Sequence, residues 1–96
     1  MSEITLGIDV SKKTLDAALI FENRTFCKQF KNSIEGFKHL AVWLTSMKIT
    51  HVHACLEATG IYGEAIALFL HESGYCVSVV NRLRIKGYAL VKYAAQ

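Results

Sequence analysis

The 96-residue chain is 52% hydrophobic and 20% charged, with a formal net charge of +3. This length supports one domain with a modest core and excludes a second, and the composition excludes an intrinsically disordered chain. No apolar run reaches the roughly 20 residues that cross a bilayer. The N-terminus carries Glu3 where a signal peptide would be basic, and Cys27, Cys55 and Cys76 are too widely spaced for a disulfide framework. Both features predict a cytoplasmic protein with reduced thiols.

The first third of the chain predicts three β-strands joined by short turns. Residues 3–10 alternate between apolar and other side chains, as do residues 14–22 and 25–32, and a polar turn is expected at residues 23 and 24. Short turns join antiparallel neighbours, because parallel neighbours need a long crossover connection. The sequence therefore predicts an antiparallel meander.

A helix is expected after the third strand. Apolar residues recur at helical spacing from Phe37 to Met47, and this stripe should face the sheet. Asn32, followed three residues later by Glu35, resembles a capping box, and Ser33 is the alternative N-cap.

The rest of the chain continues to alternate between strands and helices. Residues 51–57 and 75–81 predict strands, and residues 61–73 predict a helix that Gly74 can end. Residues 82–96 predict a third helix, and because the chain stops within it we expect a truncated protein. Strands joined through helices should be parallel. The predicted fold is α/β, a mixed five-stranded sheet with the element order βββαβαβα.

Two carboxylates are expected at the edge where open α/β sheets bind ligands. Asp9 points away from the apolar face of the first strand, and Glu57 ends the fourth strand. If these strands are parallel neighbours, the carboxylates repel each other unless a cation lies between them. Mg²⁺ fits because it prefers oxygen ligands and keeps waters that a phosphate can displace, and Mn²⁺ is a substitute. The alternative is that Asp9 pairs with Lys12 or Lys13 while Glu57 caps the next helix.

Other polar residues allow two interpretations each. Asp16 is a surface carboxylate or a supplement to the site, and Tyr62 packs on a helix or stacks on a base. Zinc is disfavoured along the fourth strand, since residues on one face of a strand are about 6.6 Å apart. The residues that superficially suggest zinc are His51, His53, Cys55 and Glu57.

The C-terminal segment is basic, because Glu72 is the last acid of the chain. Basic residues there suit a polyanion such as nucleic acid, or simply form a solvated helix face. Lys12 and Lys13, which follow Asp9, could likewise contact a phosphate backbone or simply be solvated. The nucleic-acid-binding candidates are Lys12, Lys13, Arg82, Arg84 and Lys86.

The blocks "GIDVSKKTLD" and "EATGIYG", at this separation, resemble the N-terminal part of the DEDD transposases. These are insertion-sequence transposases of the IS110 type, related to Piv DNA invertases. The resemblance implies an RNase H-like catalytic domain similar to the RuvC resolvase, with magnesium-dependent cleavage and strand transfer in DNA transposition. Asp9 and Glu57 would be the first two acids of the family's Asp-Glu-Asp-Asp tetrad.

The resemblance also implies partners and a location. These are DNA, a structured guide RNA and further copies of the full-length protein, acting at the nucleoid of a bacterial or archaeal cell. The family's last two acids lie downstream, whereas this chain has no aspartate after Asp16. We therefore expect residues 1–96 to be the N-terminal portion of the catalytic domain, without its remainder or the C-terminal transposase domain. The full-length protein should be an enzyme and this portion inactive alone.

Two other functions remain open. A RuvC-like Holliday-junction resolvase or nuclease would use the same fold, and only the "EATG" block argues against it. An ATP-binding module of the actin and sugar-kinase type also opens with a strand, an aspartate and a hairpin. That class favours a glycine two residues after the aspartate, so that phosphate can approach the backbone. Ser11 stands at that position here, which disfavours ATP binding.

Overall fold

The computed structural model describes residues 4–81 and 90–93, in which one mixed sheet carries two helices. The strands are β1 (Thr5–Val10), β2 (Thr14–Phe21), β3 (Arg24–Lys31), β4 (His53–Ala58), β5 (Cys76–Asn81) and β6 (Leu90–Tyr93), and the helices are α1 (Ile34–Ser46) and α2 (Glu64–Glu72). In the described part of the chain, no helix is long and apolar enough to cross a membrane.

The sheet has the strand order β3-β2-β1-β4-β5-β6. The predicted antiparallel meander of β1, β2 and β3 is confirmed, and so are the parallel pairs of β1 with β4 and of β4 with β5. The β2–β3 turn lies one residue earlier than expected, at Glu22 and Asn23. Both have positive φ angles, 53° and 61°, as a two-residue hairpin turn of type I′ requires.

One face of the sheet forms the core with both helices. The rings of Phe37 in α1 and Phe69 in α2 are in contact, with centroids 5.5 Å apart, so the two helices lie side by side on the same face. The stripe on α1 predicted from helical spacing is buried there at Phe37, Leu40 and Leu44. The buried strand residues on this face are Leu6, Ile8, Val10, Leu15, Ala17, Leu19, Phe30, Ala54, Leu56, Ala58 and Val77.

Two residues, Ser33 and Gly36, fix the start of α1. Ser33 is the N-cap, and its Oγ accepts a hydrogen bond from the backbone N–H of Gly36 at 3.2 Å. Gly36 is required because a Cβ there would lie only 1.8 Å from the backbone oxygen of Lys31. The first turn of the helix is therefore packed directly against the end of β3. Asn32, the other predicted cap, makes different bonds.

Helix α2 begins later than expected, since residues 61–63 form a turn before Glu64. Gly74 follows the helix with a φ of 94°, and its N–H donates to the carbonyl of His71 at 3.0 Å. The predicted glycine end of the helix is confirmed.

The predicted third helix is wrong over Leu90–Tyr93, which form β6, antiparallel to β5. The sheet therefore has six strands among the described residues rather than five. The exposed backbone edge of β5 offers hydrogen bonds, and the segment "LVKY" contains a β-branched and an aromatic residue, which suit a strand. Residues 82–89 and 94–96 of the predicted helix lie outside the described residues.

Candidate metal centre

The structure places Asp9 and Glu57 side by side. They are register partners on the neighbouring parallel strands β1 and β4, which lie about 4.8 Å apart in any sheet. Both side chains are exposed, whereas Ile8 and Leu56, the residues before them, are buried in the core. Because side chains alternate along a strand, both carboxylates project from the face opposite the helices. We call this the open face; it carries Gly7, Asp9, Asp16, Ala18, Cys55 and Glu57.

A third carboxylate extends this pair into a row across three strands. Asp16 of β2 is the register partner of Asp9 on the antiparallel side and is also exposed. Its Oδ1 accepts a hydrogen bond of 2.8 Å from Nε2 of Gln29 on β3. Sequence analysis put Asp16 on the correct face but missed the row. The short turn between β1 and β2 predicted their antiparallel pairing, but the exact register that brings Asp16 beside Asp9 was not predicted.

The donor set of Asp9 and Glu57 fits a hard divalent cation. Carboxylate oxygens are the ligands that Mg²⁺ prefers, and exposure leaves room for the waters that it keeps. Within residues 4–81 and 90–93, no three histidine, cysteine or acidic side chains converge closely enough to hold a metal ion. The pair could therefore supply two ligands, and the others must come from water, substrate or another part of the protein.

Space for a substrate lies directly over the pair. A shallow depression of about 450 Å³ covers the middle of the open face, and both acidic and small side chains surround it. Its lining consists of Gly7, Ile8, Asp9, Asp16, Ala18, Cys55, Glu57 and Val80.

Two of the five basic candidates lie in the turn that follows β1. Lys12 and Lys13 are exposed in the turn after β1. Ser11 and Thr14 close this turn, with a hydrogen bond of 2.9 Å from the Ser11 N–H to the Thr14 carbonyl. The lysines therefore stand at the carboxyl end of β1, near Asp9. The other three candidates, Arg82, Arg84 and Lys86, lie outside the described residues.

The residues that superficially suggested zinc have other surroundings. His53 is half-buried, and its Nε2 lies 2.8 Å from Oγ of Ser78 on β5. Burial raises the pKa of the Cys55 thiol, and the nearby Cys76 raises it further, so Cys55 favours the neutral form, which is a poor metal ligand. His51 precedes β4. The arrangement supports a structural interpretation of the two histidines and the cysteine, whereas Glu57 belongs to the pair with Asp9.

The loop after β4 contains Tyr62, whose side chain is 39% exposed. Its backbone carbonyl accepts a hydrogen bond of 3.0 Å from the side chain of Asn32. Sequence analysis treated Asn32 only as a possible cap. Because Ser33 is the N-cap of α1, the preceding Asn32 is available for another role. That was the one signal in the sequence for the bonds that Asn32 makes.

Comparison with known proteins adds a family and a fold. A model of the DEDD transposase family of the IS110 type, described as a transposase, matches residues 6–95. The pilin gene-inverting proteins of Moraxella bovis and Moraxella lacunata are each 36% identical over 91 residues, which is 93% of this chain. The chain spans 28% of the length of these relatives.

Solved structures share the fold at low identity. Thermus thermophilus RuvC, in complex with a Holliday junction substrate, superposes with a TM-score of 0.59 at 11% identity, over 88% of this chain and 68% of RuvC. YeaZ from Pseudomonas aeruginosa superposes with a TM-score of 0.55 at 13% identity, over 82% of this chain and 44% of YeaZ. The predicted RNase H-like, RuvC-like α/β fold is confirmed.

Proposed function

The chain belongs to the DEDD transposase family of the IS110 type, and from that premise we propose that it forms the first part of a catalytic domain that cleaves and joins DNA strands. The single observation that carries this proposal is the pairing of Asp9 with Glu57 on parallel neighbouring strands. Both carboxylates lie on the open face, where a strand of DNA can reach them.

In this proposal, Asp9 and Glu57 bind a divalent cation through their carboxylate oxygens. Mg²⁺ is the expected ion and Mn²⁺ its substitute, since both accept oxygen ligands. When bound, the ion would activate an attacking hydroxyl and stabilise the leaving oxygen of a phosphodiester. Lys12 and Lys13 attract the phosphate backbone and orient the strand over the depression, which is a sequence-independent contribution that weakens with salt.

The remaining ligands are proposed to come from the protein beyond this chain. The chain covers 28% of the length of its relatives, and in this proposal Asp9 and Glu57 are two of the family's four acids. Cleavage should therefore require the full-length protein. Its proposed partners are DNA, a structured guide RNA and further copies of itself, and its proposed place of action is the nucleoid in the cytoplasm. The basic residues Arg82, Arg84 and Lys86 are further candidates for DNA contact.

The decisive experiment removes one charge from each proposed ligand. Asp9→Asn and Glu57→Gln, made separately in the full-length protein, should each lower magnesium-dependent strand cleavage by more than about 100-fold, beyond the usual cost of losing a partner that only supports a ligand. Glu35→Gln is the matched control, because Glu35 is exposed in the first turn of α1 on the other side of the sheet. It should leave cleavage unchanged.

The melting temperature separates a catalytic loss from a structural one. All three variants should melt within a few degrees of the parent protein, because exposed side chains contribute little to stability. Cleavage retained by Asp9→Asn would remove Asp9 from the site. Loss of cleavage together with loss of folding would show that Asp9 contributes to the fold and would leave its role as a metal ligand without support.

A Holliday-junction resolvase is the second candidate, favoured by the superposition with RuvC. The substrate distinguishes the two functions. A transposase should act on linear DNA that carries the sequences flanking its own gene, whereas a resolvase should prefer a four-way junction of unrelated sequence. Cutting both substrates in one competition reaction and comparing the initial rates decides between them.

A further inference from the structure

Asn32 joins two loops that are far apart in sequence. Its Nδ2 donates one hydrogen bond of 2.9 Å to the carbonyl of Ser11 and another of 3.0 Å to the carbonyl of Tyr62. Ser11 follows β1, which carries Asp9, and Tyr62 lies in the loop after β4, which carries Glu57. One side chain therefore connects the segments that leave the two strands of the candidate centre.

The orientation of this amide follows from its partners. Both partners are carbonyl oxygens, which can only accept hydrogen bonds, and the amide nitrogen has two hydrogens to donate. With the oxygen and nitrogen exchanged, a carbonyl oxygen would face two others without any hydrogen between them. The nitrogen must therefore lie between the loops, and its donor capacity is fully used.

The bridge lies just beyond the end of the β1–β4 ladder. The parallel pairing runs from Thr5 with His53 to Asp9 with Glu57 and stops there. Past this point the two backbones follow separate loops, so the last rung carries the two carboxylates. The ends of paired strands fray unless something holds them. The Asn32 side chain supplies that link within the next few residues of each strand.

Asn32 is itself held firmly. Its backbone N–H donates to the carbonyl of Lys13 at 2.9 Å, and the next residue, Ser33, caps α1. Gly36, one turn into the helix, packs against the backbone of Lys31, where no side chain would fit. The half-buried amide thus projects from a rigid junction of β3 and α1, and it can fix the positions of the two loops relative to each other.

We propose that Asn32 is a positioning residue for the metal centre, which sets the spacing of Asp9 and Glu57 by bridging the loops that follow them. This inference rests on the proposed function. Asn32 does not bind the cation itself, because both hydrogens of its Nδ2 are donated to the carbonyls of Ser11 and Tyr62. It acts on Asp9 and Glu57 through the backbone of these two loops. Residues that only orient metal ligands typically contribute 10–100-fold to metal affinity or activity. Removing the bridge should therefore lower the affinity for the cation while leaving the melting temperature nearly unchanged.

Two variants of the full-length protein test the bridge. Asn32→Asp keeps the size of the side chain but places an oxygen without hydrogen between the two carbonyls, and Asn32→Ala removes the donor without adding charge. The variants share only the lost donor. Asn23→Asp is the matched control, because Asn23 is exposed in the turn between β2 and β3 and receives the same change.

The first readout is the Mn²⁺ concentration at half-maximal binding without DNA, measured by electron paramagnetic resonance. The second readout is the Mg²⁺ concentration at half-maximal cleavage. Both Asn32 variants should raise both midpoints by about 10-fold or more, and saturating Mg²⁺ should restore most of the cleavage rate. The control should change neither midpoint. If one Asn32 variant fails to fold, the other still provides the measurement.

Asp9→Asn, measured in parallel, separates this inference from the proposed function. If Asp9→Asn abolishes Mn²⁺ binding while folded Asn32 variants keep the parent midpoints, the positioning role is wrong and the metal centre stands. If Asp9→Asn leaves both binding and cleavage intact, the proposed function is wrong and the inference fails with it. A lower melting temperature with unchanged midpoints would make Asn32 a purely structural residue.

Discussion

The two faces of the sheet are built from alternate residues of the same strands, yet they meet opposite demands. Leu56 is completely buried under the helices, whereas Glu57, the next residue, is exposed on the open face. Burial of apolar surface stabilises the first face and leaves little freedom in side-chain size. The open face holds small and acidic side chains, which contribute little to packing. One face can therefore maintain the fold while the other is left for chemistry.

The largest effect on stability is expected on the covered face. Leu56→Ala should lower the free energy of unfolding by about 2–5 kcal/mol, because it removes buried methyl groups and leaves a cavity. Cys55→Ala, one residue away on the open face, is the matched control and should cost less than about 1 kcal/mol. Urea denaturation of the full-length protein measures both values. Equal losses would contradict the division between the two faces.

A smaller effect is expected where the covered face meets the start of α1. Ser33→Ala should cost about 1 kcal/mol, because the N–H of Gly36 loses its capping partner. Ser33→Asp keeps an acceptor at the same position and should retain nearly all of the stability. Urea denaturation again measures the free energy of unfolding. If Ser33→Asp loses as much stability as Ser33→Ala, the loss does not come from the capping hydrogen bond.

The smallest effect concerns the thiols of the open face. Burial raises the pKa of Cys55, and Cys76 adds to the increase, whereas Cys27 is exposed. At pH 8, iodoacetamide should therefore modify Cys55 more slowly than Cys27, since the thiolate is the reactive form. Mass spectrometry of the digested protein gives both rates. Faster modification of Cys55 would contradict the environment described here.

The same shift has a consequence for stability with a definite sign. A thiol whose pKa is higher in the folded protein than in the unfolded chain favours folding while it stays protonated. This contribution is complete below the ordinary pKa of a thiol and is lost as the pH rises through the raised value. Alkaline unfolding should therefore be slightly less steep in Cys55→Ala than in the parent protein.

The covered face was largely predictable from the sequence, and the open face was predictable only in part. Apolar alternation located the first strands and helical spacing of apolar residues located α1, because each element must bury one side. The same logic put Asp9 and Glu57 at one edge, since parallel neighbours bring their carboxyl ends together. The position of Leu90–Tyr93 was missed because pairing there depends on the exposed edge of β5, a tertiary feature.

The bonds of Asn32 and the exact position of Asp16 were not predicted, for a different reason. The partners of Asn32 are backbone carbonyls in two distant loops, and backbone atoms leave no pattern of residue types in a sequence. The place of Asp16 beside Asp9 depends on the register of β1 with β2. Local propensity does not determine such a register, which is set by the hydrophobic pattern and turn geometry together.

The parallel pairing of β1 with β4 also orders the events of folding. Asp9 is made early, and β1 can pair with β2, and β2 with β3, through short turns, which are fast local contacts. Glu57 joins it only after the chain has completed α1 and returned to the sheet. A cation that needs both carboxylates cannot bind the nascent meander and binds only the chain that has docked β4. By mass action, the proposed cation would stabilise only those molecules in which β4 has docked beside β1.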